Sequence, residues 1–370
     1  MTIRMASPLY IVRQDCEKDL FAVLRRLAEV GFDGIEFLGF FGHGAKEVRQ
    51  KLDELGLAAL GNHVPYKDLA ADPKTLLDFH QEVGCEYLTV ADLPLADFAK
   101  VAESLDRIAD LARARGMRLL FHNHDGELID RVEGKAALQY ILDNTRPETL
   151  ALEPDLGWME VGGGDCAWYL ATYRDRCPVI HLKDYYSSDN SKLGRVRDFV
   201  PARGGADRGH FEFRPTGYGV LNLPRLMPLC LSCEPTWFVM DHDLAYERDP
   251  YEDLKLSLDY TVGVLKMQAY DPEPPKRAAA PILSCGPLGM GGKIPEMRQE
   301  RGGRMRIHDF REIGNRLYAV RKRLGLTQME GGDAGLALQQ EELFARLAAC
   351  AEKDRDTALR LLEVYLKSLD

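Results

Sequence analysis

Short apolar runs alternate with amphipathic stretches from the start of the chain to about Met267. Eight of the runs suit buried β-strands. They are Ile3 to Tyr10, which is the weakest, then GIEFLGF from Gly34, AALGNHV from Ala58, YLTVAD from Tyr87, RLLFHNH from Arg118, TLALEPD from Thr149, PVIHLKD from Pro178 and WFVMDHD from Trp237. Between them apolar residues recur at helical spacing. Leu20, Val23, Leu24 and Leu27 lead to Gly31, a C-cap residue, and Leu105, Ile108, Ala109 and Leu111 lead to Gly116. A last helix runs from Pro250 through Leu254, Leu258 and Val262. Strands alternating with helices predict a parallel sheet, and eight such units predict a closed (β/α)8 TIM barrel over residues 1–270.

The competing architecture, an open doubly wound sheet, needs a Gly-rich turn after its first strand. None stands there. Gly162–Gly164 follows the sixth run instead and reads equally well as a flexible turn or a phosphate loop. After Tyr270 the pattern breaks. DPEPPKRAAAP opens a Pro/Gly-rich linker over 271–305, and a helical extension follows over 306–370, ending in Leu361, Leu362, Tyr365, Leu366 and Leu369. The GGK within the linker is not a phosphate-binding loop, because Pro287 replaces the first glycine of that motif and Ile294 its Ser/Thr.

Composition narrows the function. A formal net charge of −10 argues against general nucleic-acid binding by the whole chain. Cys230 and Cys233 form the one CxxC among eight scattered cysteines, which reads as incidental. Met1–Val12 lacks a signal-peptide core, and no run is apolar for long enough to span a membrane. A cytoplasmic protein with reduced thiols is the expectation.

Candidate chemistry gathers at the C-terminal ends of the predicted strands, where barrel enzymes place their active sites. Glu36, His63, Asp92, His122, His124, Asp155, His181, Asp241 and His242 all fall there, and Glu127 follows His124 closely. LALEPD and PVIHLKD organise the set, since each carries a metal-capable side chain on what would be neighbouring strands. Buried charges are costly unless paired or metal-bound. A mixed imidazole and carboxylate set suits a divalent ion such as Mn2+, Zn2+, Mg2+ or Co2+.

At these residues the sequence resembles the xylose-isomerase-like barrel superfamily, the sugar phosphate isomerase/epimerase group. GFDGIEFLGFFG, LFHNHDGE, EPDLGW, VIHLKD, GYGVLN and FVMDHD carry the resemblance, which covers roughly Met1 to Met267. It implies one metal held from strands five to eight. Asp155 and His181 match the strand-six and strand-seven ligands, and Asp241 stands where the family usually has Glu. For strand five, alignment gives His122, whereas Glu127 could fold back to supply a carboxylate. Side chains two apart on a strand share a face, which favours His122. Charge balance favours Glu127 and weighs slightly more, so Glu127 is the expected ligand, leaving His122 and His124 as proton carriers. The resemblance further implies that Glu36, His63 and His242 contact substrate, and that Lys183 serves catalysis by stabilising an oxyanion or by binding a carboxylate or phosphate. Its ordinary alternative is a salt bridge to a neighbouring acid. The activity implied is metal-dependent isomerisation or epimerisation of a sugar or sugar phosphate through an enediolate, with dehydratase or lyase chemistry on a keto-polyol or keto-glycoside as the alternative.

Ile313 to Glu330 resembles the opening of a phage-repressor-type helix-turn-helix domain, and Met297 to Leu324 holds nine Lys/Arg against three Asp/Glu. Gly331 and Gly332 then interrupt the pattern, and a Leu/Ala-rich helix stands where the recognition helix should be. A sugar-sensing regulator is therefore the competing class. A helical element for docking or homo-oligomer formation fits this segment better than DNA binding.

Overall fold

The computed structural model describes residues 3–94, 98–188, 193–194 and 211–269. Within them lie the expected eight parallel barrel strands: β1 Arg4–Pro8, β2 Gly34–Phe37, β3 Ala58–His63, β4 Tyr87–Val90, β5 Arg118–His122, β6 Leu150–Glu153, β7 Val179–His181 and β8 Trp237–Val239. Hydrogen bonding runs in the order β6-β5-β4-β3-β2-β1-β8-β7. A parallel bridge between Asp155 and His181 joins the two ends of that order. There the His181 N–H donates to the Pro154 carbonyl at 2.9 Å. The barrel is closed, and its seam lies between the two strands whose ends carry Asp155 and His181.

Each strand end is continued by a helix that the sequence specifies locally. Arg13–Val30 buries Leu20, Val23, Leu24 and Leu27 on one face. It stops at Gly31, whose φ of 108° is the left-handed region that glycine enters without steric cost. Phe98–Arg113 buries Leu105, Ile108 and Ala109. Pro250–Ala269 follows the last strand and buries Leu254 and Leu258. The Gly162–Gly164 turn is a packing device: a Cβ on Gly162 would stand 2.7 Å from the Asp125 carbonyl.

Two apolar layers result. The larger lies between strands and helices. The smaller fills the barrel itself, with Ala6, Leu60, Leu120, Ala151, Val179, Trp237 and Val239 packed together. Because strand side chains alternate, this inner layer decides what stands above it. Leu120 puts His122 over the barrel axis, Ala151 puts Glu153 there, Val179 puts His181 there, and Val239 puts Asp241 there. The linker and helical extension expected over 271–305 and 306–370 lie outside the described residues, and so does the repressor-like segment.

Candidate metal centre and active site

A cavity of about 590 Å³ opens at the C-terminal end of the barrel. Glu36, His63, Asp92, His122, His124, Trp158, His181, Lys183, Asp241 and Asp243 supply its polar lining, against an apolar wall that includes Leu9, Phe37, Leu38 and Leu244. That volume lies in the usual range for a small-molecule site.

His63 enters this group through a backbone irregularity. Ile35 pairs with Ala59 but Glu36 pairs with Gly61, so Leu60 is an extra residue in β3. The bulge lets Leu60 and His63 both face inward although they are three apart. It also turns Asn62 outward, where its Nδ2 meets His80 Nε2 at 2.8 Å.

The floor of the cavity holds two overlapping sets of potential ligand atoms, each within 4.8 Å of one another. His122, Asp155, His181 and Asp241 form the upper set, and His63, His122, Glu153 and His181 form the lower. In the upper set His122 Nε2 stands 3.8 Å from Asp155 Oδ2, and His181 Nδ1 stands 3.0 Å from Asp241 Oδ2. Asp155 does two jobs. Its Oδ1 accepts the Trp158 N–H at 2.9 Å and caps the helix Leu156–Val161, which leaves Oδ2 turned to the pocket. In the lower set Glu153 Oε2 lies 3.2 Å from His63 Nε2 and 3.4 Å from His122 Nδ1. Glu36 lies 3.2 Å from His181 Nε2 and 3.3 Å from His63 Nε2.

Lys183 is buried beside the upper set. Its Nζ is 2.8 Å from Asp241 Oδ2, 3.3 Å from Asp155 Oδ2 and 2.5 Å from Asp243 Oδ1. Burial alone would lower its pKa, but Asp241, Asp243 and Asp155 outweigh burial and hold it above the usual lysine range. Lys183 therefore remains an ammonium ion at neutral pH.

The electrostatics favour a further cation. Burial lifts Asp155 to about 7 against the pull of Lys183. Burial, and then the charge of His181, push His122 well below the usual histidine range, so it presents a neutral imidazole. Metal ligation requires a neutral imidazole and a deprotonated carboxylate. Burial alone would lower the His181 pKa, but Glu36 and Glu153 hold it well above the usual histidine range, so an ion there would displace a proton from its ring. Asp155 Oδ2 and Asp241 Oδ1 are buried and make no hydrogen bond of acceptable geometry. Buried polar atoms without partners are rare in folded proteins. The residues fit a divalent ion.

The geometry bears on three expectations. Glu127 does not join either set of ligand atoms; its Oε2 accepts the His124 backbone N–H at 2.8 Å from the short helix Gly126–Ile129. The strand-five side chain in the ligand sets is His122, because β5 keeps its alternation through that residue. His242 points out of the barrel, not to substrate, and its Nε2 meets Asp253 Oδ2 of the closing helix at 3.2 Å. Lys183 makes the salt bridges that were the ordinary alternative for it while also lining the cavity. His124 lines the cavity beside Trp158, with ring centroids 5.7 Å apart. Cys230 and Cys233 are buried free thiols.

Glu153 and Asp243 are the site residues that sequence reasoning missed. Both signals were present. Glu153 precedes Asp155 by two residues and Asp243 follows Asp241 by two, so period-two alternation places each on the inner face.

The chain matches the family described as Xylose isomerase-like TIM barrel over residues 24–229. Among curated proteins it is 26% identical over 190 residues to the inosose dehydratase of Geobacillus kaustophilus, covering 44% of this chain and 61% of that one. Among solved structures, a sugar phosphate isomerase/epimerase from Parabacteroides distasonis superposes with a TM-score of 0.56 at 20% identity, over 70% of this chain and 94% of that one. An IOLI protein with a bound zinc atom gives a TM-score of 0.56 at 12% identity, over 72% and 99%. At these identities the two structures speak to the fold. No helix among the described residues is long and apolar enough to cross a membrane.

Proposed function

The chain belongs to the xylose isomerase-like TIM barrel family, and from that premise we propose that it is a divalent-metal-dependent dehydratase acting on a cyclic keto-polyol of the inosose class. The observation that carries the reading is the convergence of His122, Asp155, His181 and Asp241 on one buried point below the cavity, with Lys183 alongside. The inosose dehydratase relative supports dehydration over the isomerisation or epimerisation that the sequence resemblance put first.

His122, Asp155, His181 and Asp241 would hold the ion, and Glu127 is not needed. When bound, such an ion supplies Lewis-acid polarisation of a substrate carbonyl, which acidifies the adjacent C–H bond. The chain's own groups do the rest. His124, at the cavity wall, accepts the proton from that carbon through a ring nitrogen. Lys183 cannot act as a base while its neighbours keep it charged, so it donates a hydrogen bond to a substrate oxygen. His63 faces the cavity between Glu36 and Glu153. Burial alone would lower its pKa, but Glu36 and Glu153 outweigh burial and hold it at about 10, so it carries a proton to give to the departing hydroxyl. The C–O bond breaks, the hydroxyl leaves as water, and the ring keeps an unsaturated ketone. Trp158, Phe37 and Leu38 offer apolar surface to the carbon face of the ring and keep bulk water from the reacting carbon.

The test is incubation of Mn2+- or Co2+-loaded protein with an inosose in deuterated water. Water loss with a rise in enone absorbance is expected, and Asp155→Ala and His181→Ala should abolish both ion uptake and turnover. A rearranged or inverted ketone formed without water loss would instead point to isomerisation or epimerisation.

A further inference from the structure

His122 and His181 each present one ring nitrogen upward and one downward. Upward, His122 Nε2 faces Asp155 and His181 Nδ1 faces Asp241, at 3.8 Å and 3.0 Å. Downward, His122 Nδ1 faces Glu153 at 3.4 Å and His181 Nε2 faces Glu36 at 3.2 Å. Glu153 is wholly buried, and neither of its oxygens makes a hydrogen bond of acceptable geometry. His63 Nε2 lies between the two lower carboxylates, 3.3 Å from Glu36 and 3.2 Å from Glu153.

We propose that Glu153 is a positioning residue for the metal centre: it receives the Nδ1–H of His122 from below and so fixes the tautomer that turns the Nε2 lone pair toward the ion. Glu36 does the same for His181 through Nε2–H. A metal-bound imidazole needs its other N–H turned to an acceptor, and a carboxylate in that place both orients the ring and raises its basicity. The alternative is a second ion in the lower set of ligand atoms. It would require His122 and His181 to lose both ring protons and bridge two ions, whereas an N–H turned to Glu153 requires no such loss. The inference rests on the metal reading of the upper set.

The experiment measures Mn2+ and Zn2+ binding to the full chain by chelator competition, with stoichiometry, for the unaltered protein, Glu153→Gln and Glu153→Leu. One ion is expected in the unaltered protein, bound roughly 10- to 100-fold more weakly in Glu153→Leu. Glu153→Gln, which keeps an acceptor of the same length, should recover part of the loss. Two-bond 1H–15N spectra of the Zn2+-loaded protein should show His122 protonated at Nδ1, and a mixed or reversed tautomer in the variants. If Glu153→Leu fails to fold, Glu153→Gln and the tautomer spectrum carry the test. Equal affinity and an unchanged tautomer in the variants would overturn the proposal. Two ions in the unaltered protein, falling to one on substitution, would overturn it in favour of direct ligation. Absence of ion uptake by the unaltered protein would sink the metal reading, and this inference with it.

Discussion

Lys183 brings an ammonium group to within 3.3 Å of Asp155 and 2.8 Å of Asp241, the carboxylates that would also hold an ion. Its long stem lets the charge reach the barrel axis from the end of β7, where a shorter side chain would leave Asp243 facing Asp241 with nothing between them. Removing one partner of a buried charge cluster is strongly destabilising, because the others lose their compensation. Lys183→Met should therefore cost about 3–5 kcal/mol in protein stripped of metal. Adding Mn2+ should recover part of that loss, since a dication neutralises two of the three stranded carboxylates. Turnover should stay low even with the ion present, because the proposed donor to substrate is gone. Denaturant unfolding with and without Mn2+, beside a turnover assay, checks each part. Metal-independent loss of stability would mean that Lys183 compensates Asp243 alone.

At the scale of elements, the cavity rim hangs on a short chain of hydrogen bonds between β2, β3 and the helix Pro73–Val83. The Gly39 N–H donates to Asn62 Oδ1 at 2.7 Å, and Asn62 Nδ2 donates to His80 Nε2 at 2.8 Å. His80 Nδ1 donates to the Leu76 carbonyl at 2.6 Å. Both nitrogens of His80 are thereby assigned, and a proton on Nε2 would face the Asn62 amide hydrogens. Burial accordingly pushes the His80 pKa below its ordinary value of 6.5. The unfolded chain then takes up a proton that the folded one refuses, so this contribution to stability is present above pH 6.5 and is lost as pH falls below it. Denaturant midpoints measured across that range should fall with acid in the unaltered protein and fall less steeply in His80→Gln. Identical slopes would remove His80 from the account. The same bulge that sends Asn62 to His80 sends His63 into the cavity, so one extra residue in β3 serves both the rim and the floor.

At the scale of the molecule, the barrel and its site close at the same place. β6 and β7 meet through the Asp155–His181 bridge, and those two residues also belong to the upper set of ligand atoms. An ion held there would tie the seam, and binding to the folded state alone stabilises by mass action, by about 2.7 kcal/mol at a hundredfold excess over Kd. The HLKD turn reinforces this region, because Asp184 accepts N–H groups from Gly217, Gly219 and Leu221 and pins the Gly-rich turn of GYGVLN to the end of β7. All eight strands and the closing helix lie within the compact unit Met1–Pro274. A chain ended at Pro274 should unfold cooperatively and show the same rise in Tm with Mn2+ as the full chain. Non-cooperative melting, or loss of the metal shift, would mean that later residues complete the barrel.

The sequence by itself determined the eight strands, the helices between them and the end of the barrel that carries chemistry. Alternation and helical periodicity are local properties, and Leu120, Val179 and Val239 dictate which neighbours face inward. It also held Glu153 and Asp243 in plain alternation with Asp155 and Asp241. Only the tertiary structure placed His122 and not Glu127 among the clustered ligand atoms, because Glu127 lies on the short helix Gly126–Ile129, whose place depends on packing against Gly162. The same alternation puts His242 on the outer face between Asp241 and Asp243, and only the structure supplied its partner there, Asp253 of the helix Pro250–Ala269. The bulge at Leu60 was likewise invisible, since it is a mismatch between β2 and β3 and exists only once the two strands pair.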